Sequence, residues 1–294
     1  MKDYVIRATA AQGSIRAFAV NTRDIVEKAM ILHNICSVST KILGKVLTVA
    51  SMMSIMLKGK NDIINIQIKG NGELKGINVL ADSNANVKGF VFNSSIEFEN
   101  DKKEEFITSS LLGKGSLTII KDMGLKEPYI GQVNLVSDNI SENLTYYFEK
   151  SEQIPTMIEL GVLIDKDFKI KSAGGFIIQL MPNIDSKVLE DLKYNLSTMY
   201  PIDYYLNMKY SPENILESLL GNLDLRINEK KYTNYYCNCT REKVKKALIS
   251  IGKEEILNII NEDEEVKLNC HFCNKNYVFN KNDLSKIVNS FDIV

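Results

Sequence analysis

From Tyr4 to Pro182 short apolar runs alternate residue by residue with polar positions, the period of strands with one buried face. YVIRATA and SIRAFAVN flank Ala11, Gln12 and Gly13, which predicts a hairpin between Tyr4 and Asn21. The period then lengthens. Ile25, Ala29, Leu32 and Cys36 fall on one helical face, and a more apolar helical stretch from Ile42 to Leu57 ends near Gly59. Strand patterns return between Ile63 and Val136 as IINIQIKG, VKGFVFN, SLTIIKD and PYIGQVNLV, divided by Gly, Asn and Asp turn residues. The Gly113 and Gly115 pair reads as a turn before SLTIIKD. A helix near Leu144 to Glu149 and two strands ending in GGFIIQLMP complete the series. Helices that cover sheet faces in this order define a mixed α+β body.

At Pro182 the strand patterns stop and amphipathic helices begin. Val188, Leu189, Leu192, Leu196 and Met199 form one apolar stripe. Ile215, Leu216, Leu219 and Leu220 form another behind a Ser211 cap and Pro212. Two arrangements are open: both stripes dock on the preceding body, or they rest partly against the segment that follows. The expected organisation is an N-terminal α+β core domain at 1–182, a helical linker region at 183–232 and a small C-terminal domain at 233–294. Charge runs at 100–105 and 262–265 read as solvated loops.

Composition narrows the classes. With 294 residues, 45% hydrophobic and 25% charged, the chain has the content of a soluble globular protein with room for a sizeable core. A net charge of -1 supplies no bulk field for nucleic acid or anionic lipid, so neither is an expected partner. MKDYVIRATA lacks the zones of a signal peptide. The Ile42 to Leu57 stretch is broken by Lys45, Thr48, Ser51 and Ser54 and is shorter than the roughly 20 residues a membrane span needs. A cytoplasmic location without membrane attachment is expected, where thiols stay reduced and clustered cysteines point to metal or redox chemistry.

Four of the five cysteines lie in the last 58 residues as CNC at 237–239 and CHFC at 270–273, with 30 residues between the pairs. Two close pairs brought together by a folded insert supply the four soft thiolates that zinc prefers, which makes Cys237, Cys239, Cys270 and Cys273 the candidate ligands of one Zn2+. The insert suits this role. Thr240 can cap a helix carrying Val244, Ala247, Leu248 and Ile251, Gly252 can end it, and Ile256, Leu257 and Ile260 make a second apolar face before EVKLNC and YVFN bracket the CHFC turn as strands. A plain zinc ribbon that staples the tail would use the same residues. CNC departs from the common CxxC knuckle, and its spacing permits a disulfide. Arg241 and Lys243 nearby would favour thiolate anions. Cys36 reads as a buried inert thiol on a helix face, His33 as a packed or half-exposed helix residue, and His271 as solvent-facing rather than a ligand. No histidine-based nucleophile relay and no GxxxxGK[ST] loop is present, so neither a catalytic residue nor a nucleotide cofactor is expected.

With CNCTREKV and CHFCNKNYVF in place, the chain resembles the heat shock protein 33 family of redox-regulated holdase chaperones, also called the 33 kDa chaperonin. GGFIIQLMP at 174–182, YFEKSEQIPT at 147–156, GKGSLTIIKD at 113–122 and EPYIGQVNL at 127–135 are similar to the family's motifs in the family's order. GNGELKG at 70–76 departs, with Glu73 where the family usually has proline. The resemblance implies an N-terminal α+β core, a helical linker region and a C-terminal zinc domain. It implies zinc on the four cysteines when reduced and disulfides when oxidised, with ATP-independent binding of unfolding client proteins by an active homodimer. Once the tail unfolds, loop-closure entropy favours local pairs, Cys237 with Cys239 and Cys270 with Cys273. Two rival readings, a zinc-ribbon nucleic-acid binder and a thiol-disulfide oxidoreductase, lack respectively a basic aromatic surface and a CxxC at the start of a helix after a strand.

Overall fold

The structure, a computed structural model, describes residues 2–96, 110–262 and 265–291. The chain divides into two compact units, Met1–Tyr236 and Cys237–Val294.

In the first unit the hairpin of β1 (Tyr4–Ala10) and β2 (Ile15–Asn21) forms as the alternation requires, and its turn places Ala11 and Gln12 at positive φ. α1 (Arg23–His33) and α2 (Ser37–Ser54) follow. A second series of strands comprises β3 (Ile63–Gly70), β4 (Gly76–Asp82), β5 (Asn86–Val91), β6 (Gly115–Asp122) and β7 (Tyr129–Asn134). After α3 (Ile140–Tyr147) and a π-helical turn over Phe148–Glu152, β8 (Thr156–Ile164) and β9 (Ile170–Leu180) rejoin the first hairpin. Two sheets result, one of order β10-β1-β2-β9-β8 and one of order β11-β5-β4-β3-β6-β7, where β10 is Arg226–Tyr232 and β11 is Asn234–Tyr235.

α2 lies between the sheets. Leu43, Val46, Leu47, Val49, Ala50, Met52 and Met53 share one core with Val5, Phe18 and Ile177 of the first sheet and Ile64, Ile66 and Val79 of the second. Its buried hydroxyls satisfy themselves on the helix's own carbonyls, Thr48 Oγ1 donating to Gly44 O at 2.7 Å and Ser51 Oγ to Leu47 O at 3.0 Å. Sequestered between sheets, this most apolar helix needs no bilayer. Among the described residues no helix is long and apolar enough to cross a membrane.

The opposite face of the first sheet takes the amphipathic stripes. α4 (Ser186–Thr198), α5 (Ile202–Asn207) and α6 (Pro212–Leu220) pack Leu192, Ile202, Leu206, Ile215, Leu216, Leu219 and Leu220 against Ile6, Ala8, Ile15, Ala17 and Phe176. Of the two arrangements open in the sequence, docking on the body is the one found. The alanines at alternate positions of β1 and β2 leave room for the helices to approach. Asp185 caps α4 by accepting the N–H groups of Lys187 and Val188, and Ser211 caps α6 by accepting that of Asn214.

Strand patterning does not end at Pro182. β10 pairs antiparallel with β1, and β11 pairs parallel with β5, so residues beyond α6 contribute to both sheets. RINEKKY hides this because an edge strand with exposed side chains shows no apolar alternation. Cys36 also differs from expectation. It is the half-buried N-cap residue of α2 rather than a member of the α1 face, and its thiol contacts Ser39 Oγ at 3.2 Å. His33 is buried, with Nε2 3.0 Å from the Tyr235 hydroxyl. In the departing loop at 70–76, Glu73 N–H donates to Ser110 O at 3.1 Å, a bond that a proline nitrogen cannot give. The charged run at 100–105 and residues 263–264 lie outside the described residues. At the ends of that second run, Glu262 closes a helix and Glu265 opens a strand.

The second unit holds α7 (Arg241–Ser250), α8 (Lys253–Glu262), the antiparallel pair β12 (Glu265–Asn269) and β13 (Asn276–Asn280), and α9 (Lys281–Ser290). Its own small core contains Leu248, Ile256, Tyr277, Phe279, Leu284, Ile287 and Val288.

Candidate metal centre

Local sequence rules place each cysteine. Thr240 caps α7 as expected, its side chain accepting Lys243 N–H, so CNC sits immediately before a helix start. CHFC occupies the turn between β12 and β13. Cys270 N–H donates to Lys275 O at 3.0 Å, and the N–H groups of Cys273 and Asn274 return to Cys270 O at 3.1 and 2.8 Å. Asn274 adopts φ 55°, a conformation asparagine tolerates better than most residues. The knuckle therefore folds on its own backbone, whereas a redox CxxC opens a helix.

The two turns bring all four sulfurs within 4.8 Å of one another, half-buried and without a disulfide. Cys237 Sγ lies 3.7 Å from Cys270 Sγ, and Cys239 Sγ lies 3.3 Å from Cys273 Sγ. A tetrahedron with metal–sulfur bonds of about 2.3 Å has edges of about 3.8 Å. Four thiol sulfurs gathered at this spacing can hold a metal ion, and the donor chemistry suits a soft or borderline one. His271 is exposed beside the cluster and is not among the gathered ligands.

The electrostatics are uneven. Burial pushes the Cys237 thiol up. Burial also opposes ionisation of Cys239, yet hydrogen bonds from the Tyr277 hydroxyl and the neighbouring thiols outweigh it and bring this thiol down to about 7. Cys273 moves the other way, raised first by burial and then by giving its hydrogen bond to Cys239. Without a metal, Cys239 thus carries negative charge more readily than Cys237 or Cys273.

Tyr277 escaped the sequence reading. Its hydroxyl donates to Cys239 Sγ at 3.1 Å, and its ring is buried in the unit's core. The available signal was β13 alternation, which turns Tyr277 and Phe279 to the same face, with Tyr277 opposite Leu268. The expected help from Arg241 takes another form. Its guanidinium pairs with Asp283 at 2.8 Å and lies 4.3 Å above the Phe279 ring, so it clips α7 to the start of α9.

The family model described as Hsp33 protein matches residues 3–280. The 33 kDa chaperonin of Acetivibrio thermocellus is 43% identical over 288 residues, covering 98% of this chain and 97% of that protein. The 33 kDa chaperonin of one Clostridium perfringens strain is 41% identical over 290 residues, 98% of this chain and 91% of its own length. The crystal structure of the 33 kDa chaperonin from Thermotoga maritima superposes with a TM-score of 0.88 at 30% identity, over 100% of this chain and 99% of the other. The chain belongs to the Hsp33 family.

Proposed function

We propose that this protein is a redox-regulated, ATP-independent holdase of the cytoplasm that binds unfolding proteins during oxidative stress and acts as a homodimer. The observation that carries the reading is the gathering of Cys237, Cys239, Cys270 and Cys273 within 4.8 Å in a unit with little other core. These four residues are the proposed ligands of one Zn2+ in the reduced state. Structural zinc of this kind contributes roughly 10–16 kcal/mol of apparent folding free energy, a large sum beside what a unit of this size gains from apolar burial.

Oxidation removes two electrons and two protons from each cysteine pair, and each pair reduces one peroxide to two waters. Disulfide sulfurs are poor metal ligands, so the unit loses its metal and its stability together. In the folded unit sulfurs of different pairs already lie close, Cys237 to Cys270 at 3.7 Å and Cys239 to Cys273 at 3.3 Å. After unfolding, a cross-pair must close a loop of thirty-odd residues, at a cost roughly 2 kcal/mol above a local pair. Local pairing of Cys237 with Cys239 and Cys270 with Cys273 is therefore the proposed product. The apolar faces of α4 to α6 are the adaptable surface offered to clients. Because they are buried on the first sheet, their use requires undocking from β1, β2 and β9.

The test is aggregation of a heat-denatured client followed by light scattering, with zinc content and disulfide mapping on the same samples. One zinc per reduced chain, lost on peroxide treatment as suppression of aggregation appears, supports the reading. Suppression that is equal in both redox states, or zinc retained at native affinity by Cys270→Ser, overturns it. A dominant species linking the 237–239 peptide to the 270–273 peptide overturns the pairing alone.

A further inference from the structure

A cleft of about 360 Å³ opens in the first unit where the turn after α2, the β4–β5 turn and the sheet edge β1–β10 meet. Four cations line it: Arg7 of β1, Lys58 and Lys60 of the turn, and Lys231 of β10. Glu229 is the sole carboxylate of the lining, and it is shared, at 3.0 Å from Arg7 and 3.9 Å from Lys231. Among the described residues no carboxylate pairs with Lys58 or Lys60. The nearby acids are committed to backbone, Asp62 accepting Gly59 N–H and Asp82 accepting the N–H groups of Asn84 and Asn86. In a chain of net charge -1, a surplus of three positive charges around one small cleft concentrates positive potential there, and such a field attracts an anion.

We propose that this cleft binds a small oligophosphate. A single carboxylate would neutralise one cation and leave two. A chain of phosphate groups carries several charges and many acceptor oxygens, which matches one guanidinium and three ammonium groups approaching from three segments. No aromatic ring lines the cleft, so a nucleobase finds no stacking platform, and the phosphates alone supply recognition. The occupant would tie β10 to the two turns that face it. Lys231 already gives a hydrogen bond to Ser83 O at 2.8 Å, which an anion would reinforce. Because β10 and β11 are the last strands before Cys237, a ligand here holds in place the segment that leads to the cysteines.

The experiment is calorimetric titration of the reduced full-length protein with sodium tripolyphosphate and, separately, with ATP, at matched ionic strength in chloride. Hydrogen exchange at 226–232 is followed in the same buffers. We expect one saturable site, a Kd at least tenfold weaker in the Lys58→Gln/Lys60→Gln double variant, slower exchange at β10 with ligand, and ATP no tighter than tripolyphosphate. The lysines are exposed, so this variant keeps the fold. Absence of saturable binding, or equal affinity in the double variant, overturns the site. Much tighter ATP binding overturns recognition through phosphate alone, and unchanged exchange at β10 despite binding overturns the tie.

Discussion

Single side chains carry the two sharpest electrostatic features. Tyr277 holds a thiolate-stabilising hydrogen bond to Cys239 without itself being a ligand. Groups of this kind orient ligands, and their loss costs roughly 10–100-fold in metal affinity. Tyr277→Phe keeps the buried ring and is expected to weaken zinc binding within that range, as read by competition with a chromophoric chelator. Unchanged affinity would show that the hydroxyl is idle once metal is bound. Asp3 is the second feature. It is 4% exposed, and burial outweighs the hydrogen bond from Ile25 N–H to raise its carboxyl to about 7. The folded pKa lies above the unfolded one, so folding favours the protonated form. The stabilisation is complete below about pH 4 and is lost as pH rises through about 7. At 1.36 kcal/mol per unit the loss reaches at most about 4 kcal/mol. Asp3→Asn retains an oxygen for Ile25 N–H and is expected to flatten urea stability between pH 4 and 8 relative to the native chain. Parallel pH profiles for the two proteins would refute this assignment.

Among the elements, α4 and α6 present similar stripes in sequence but different anchorage in the fold. α6 buries Ile215, Leu216, Leu219 and Leu220 at 0–1% exposure, whereas Leu192 is the one buried residue of α4. Leu216→Ala is expected to cost about 2–5 kcal/mol of stability and Leu196→Ala clearly less, by urea titration. Hydrogen exchange should find α4 opening before α6. Equal protection of the two helices would contradict the ranking. The strands with one buried face, the α2 interior and the Thr240 and Ser211 caps were legible because period and capping chemistry are local. β10 was not, since its hydrogen bonds go to β1 more than two hundred residues earlier while its side chains remain in water. The four cysteines were legible by spacing. Tyr277 was not, because its role depends on which way β13 faces, and that is decided by packing on Leu248 and Leu284.

At the scale of the whole molecule, the chain is divided between a body with two sheets and a unit with its own small core and four gathered sulfurs. Peroxide-treated protein is expected to lose protease resistance first within 237–291 and next at α4, with β3 to β7 cut last. Cleavage that begins in the second sheet while α7 to α9 stay intact would contradict this division. The motif blocks outside the cysteines also gain a meaning at this scale. Lys121, Tyr129, Tyr147, Ser151 and Glu152 meet where the π-helical turn crosses β6 and β7, with Tyr147 donating to Glu152 Oε1 at 2.8 Å and the Lys121 ammonium 5.4 Å from the centre of the Tyr129 ring. The same YFEKSEQIPT block continues into the first sheet, where Gln179 of GGFIIQLMP donates Nε2–H to Thr156 Oγ1 at 3.3 Å and Leu180 N–H donates to Pro155 O at 3.0 Å. Four sequence blocks that look unrelated thus fasten one sheet to the other.

The pairing of β1 with β10 also sets a timetable for synthesis. β1 ends at Ala10, but its outer partner is encoded from Arg226 onward. At about 5–20 residues per second the interval is on the order of 10–40 s. Throughout it the nascent chain carries an open strand edge, the kind of surface on which other chains add. The edge closes only as the first cysteine pair emerges, and the second pair follows after thirty more residues. A newborn copy of this chaperone is, for that interval, itself a chain in need of cover.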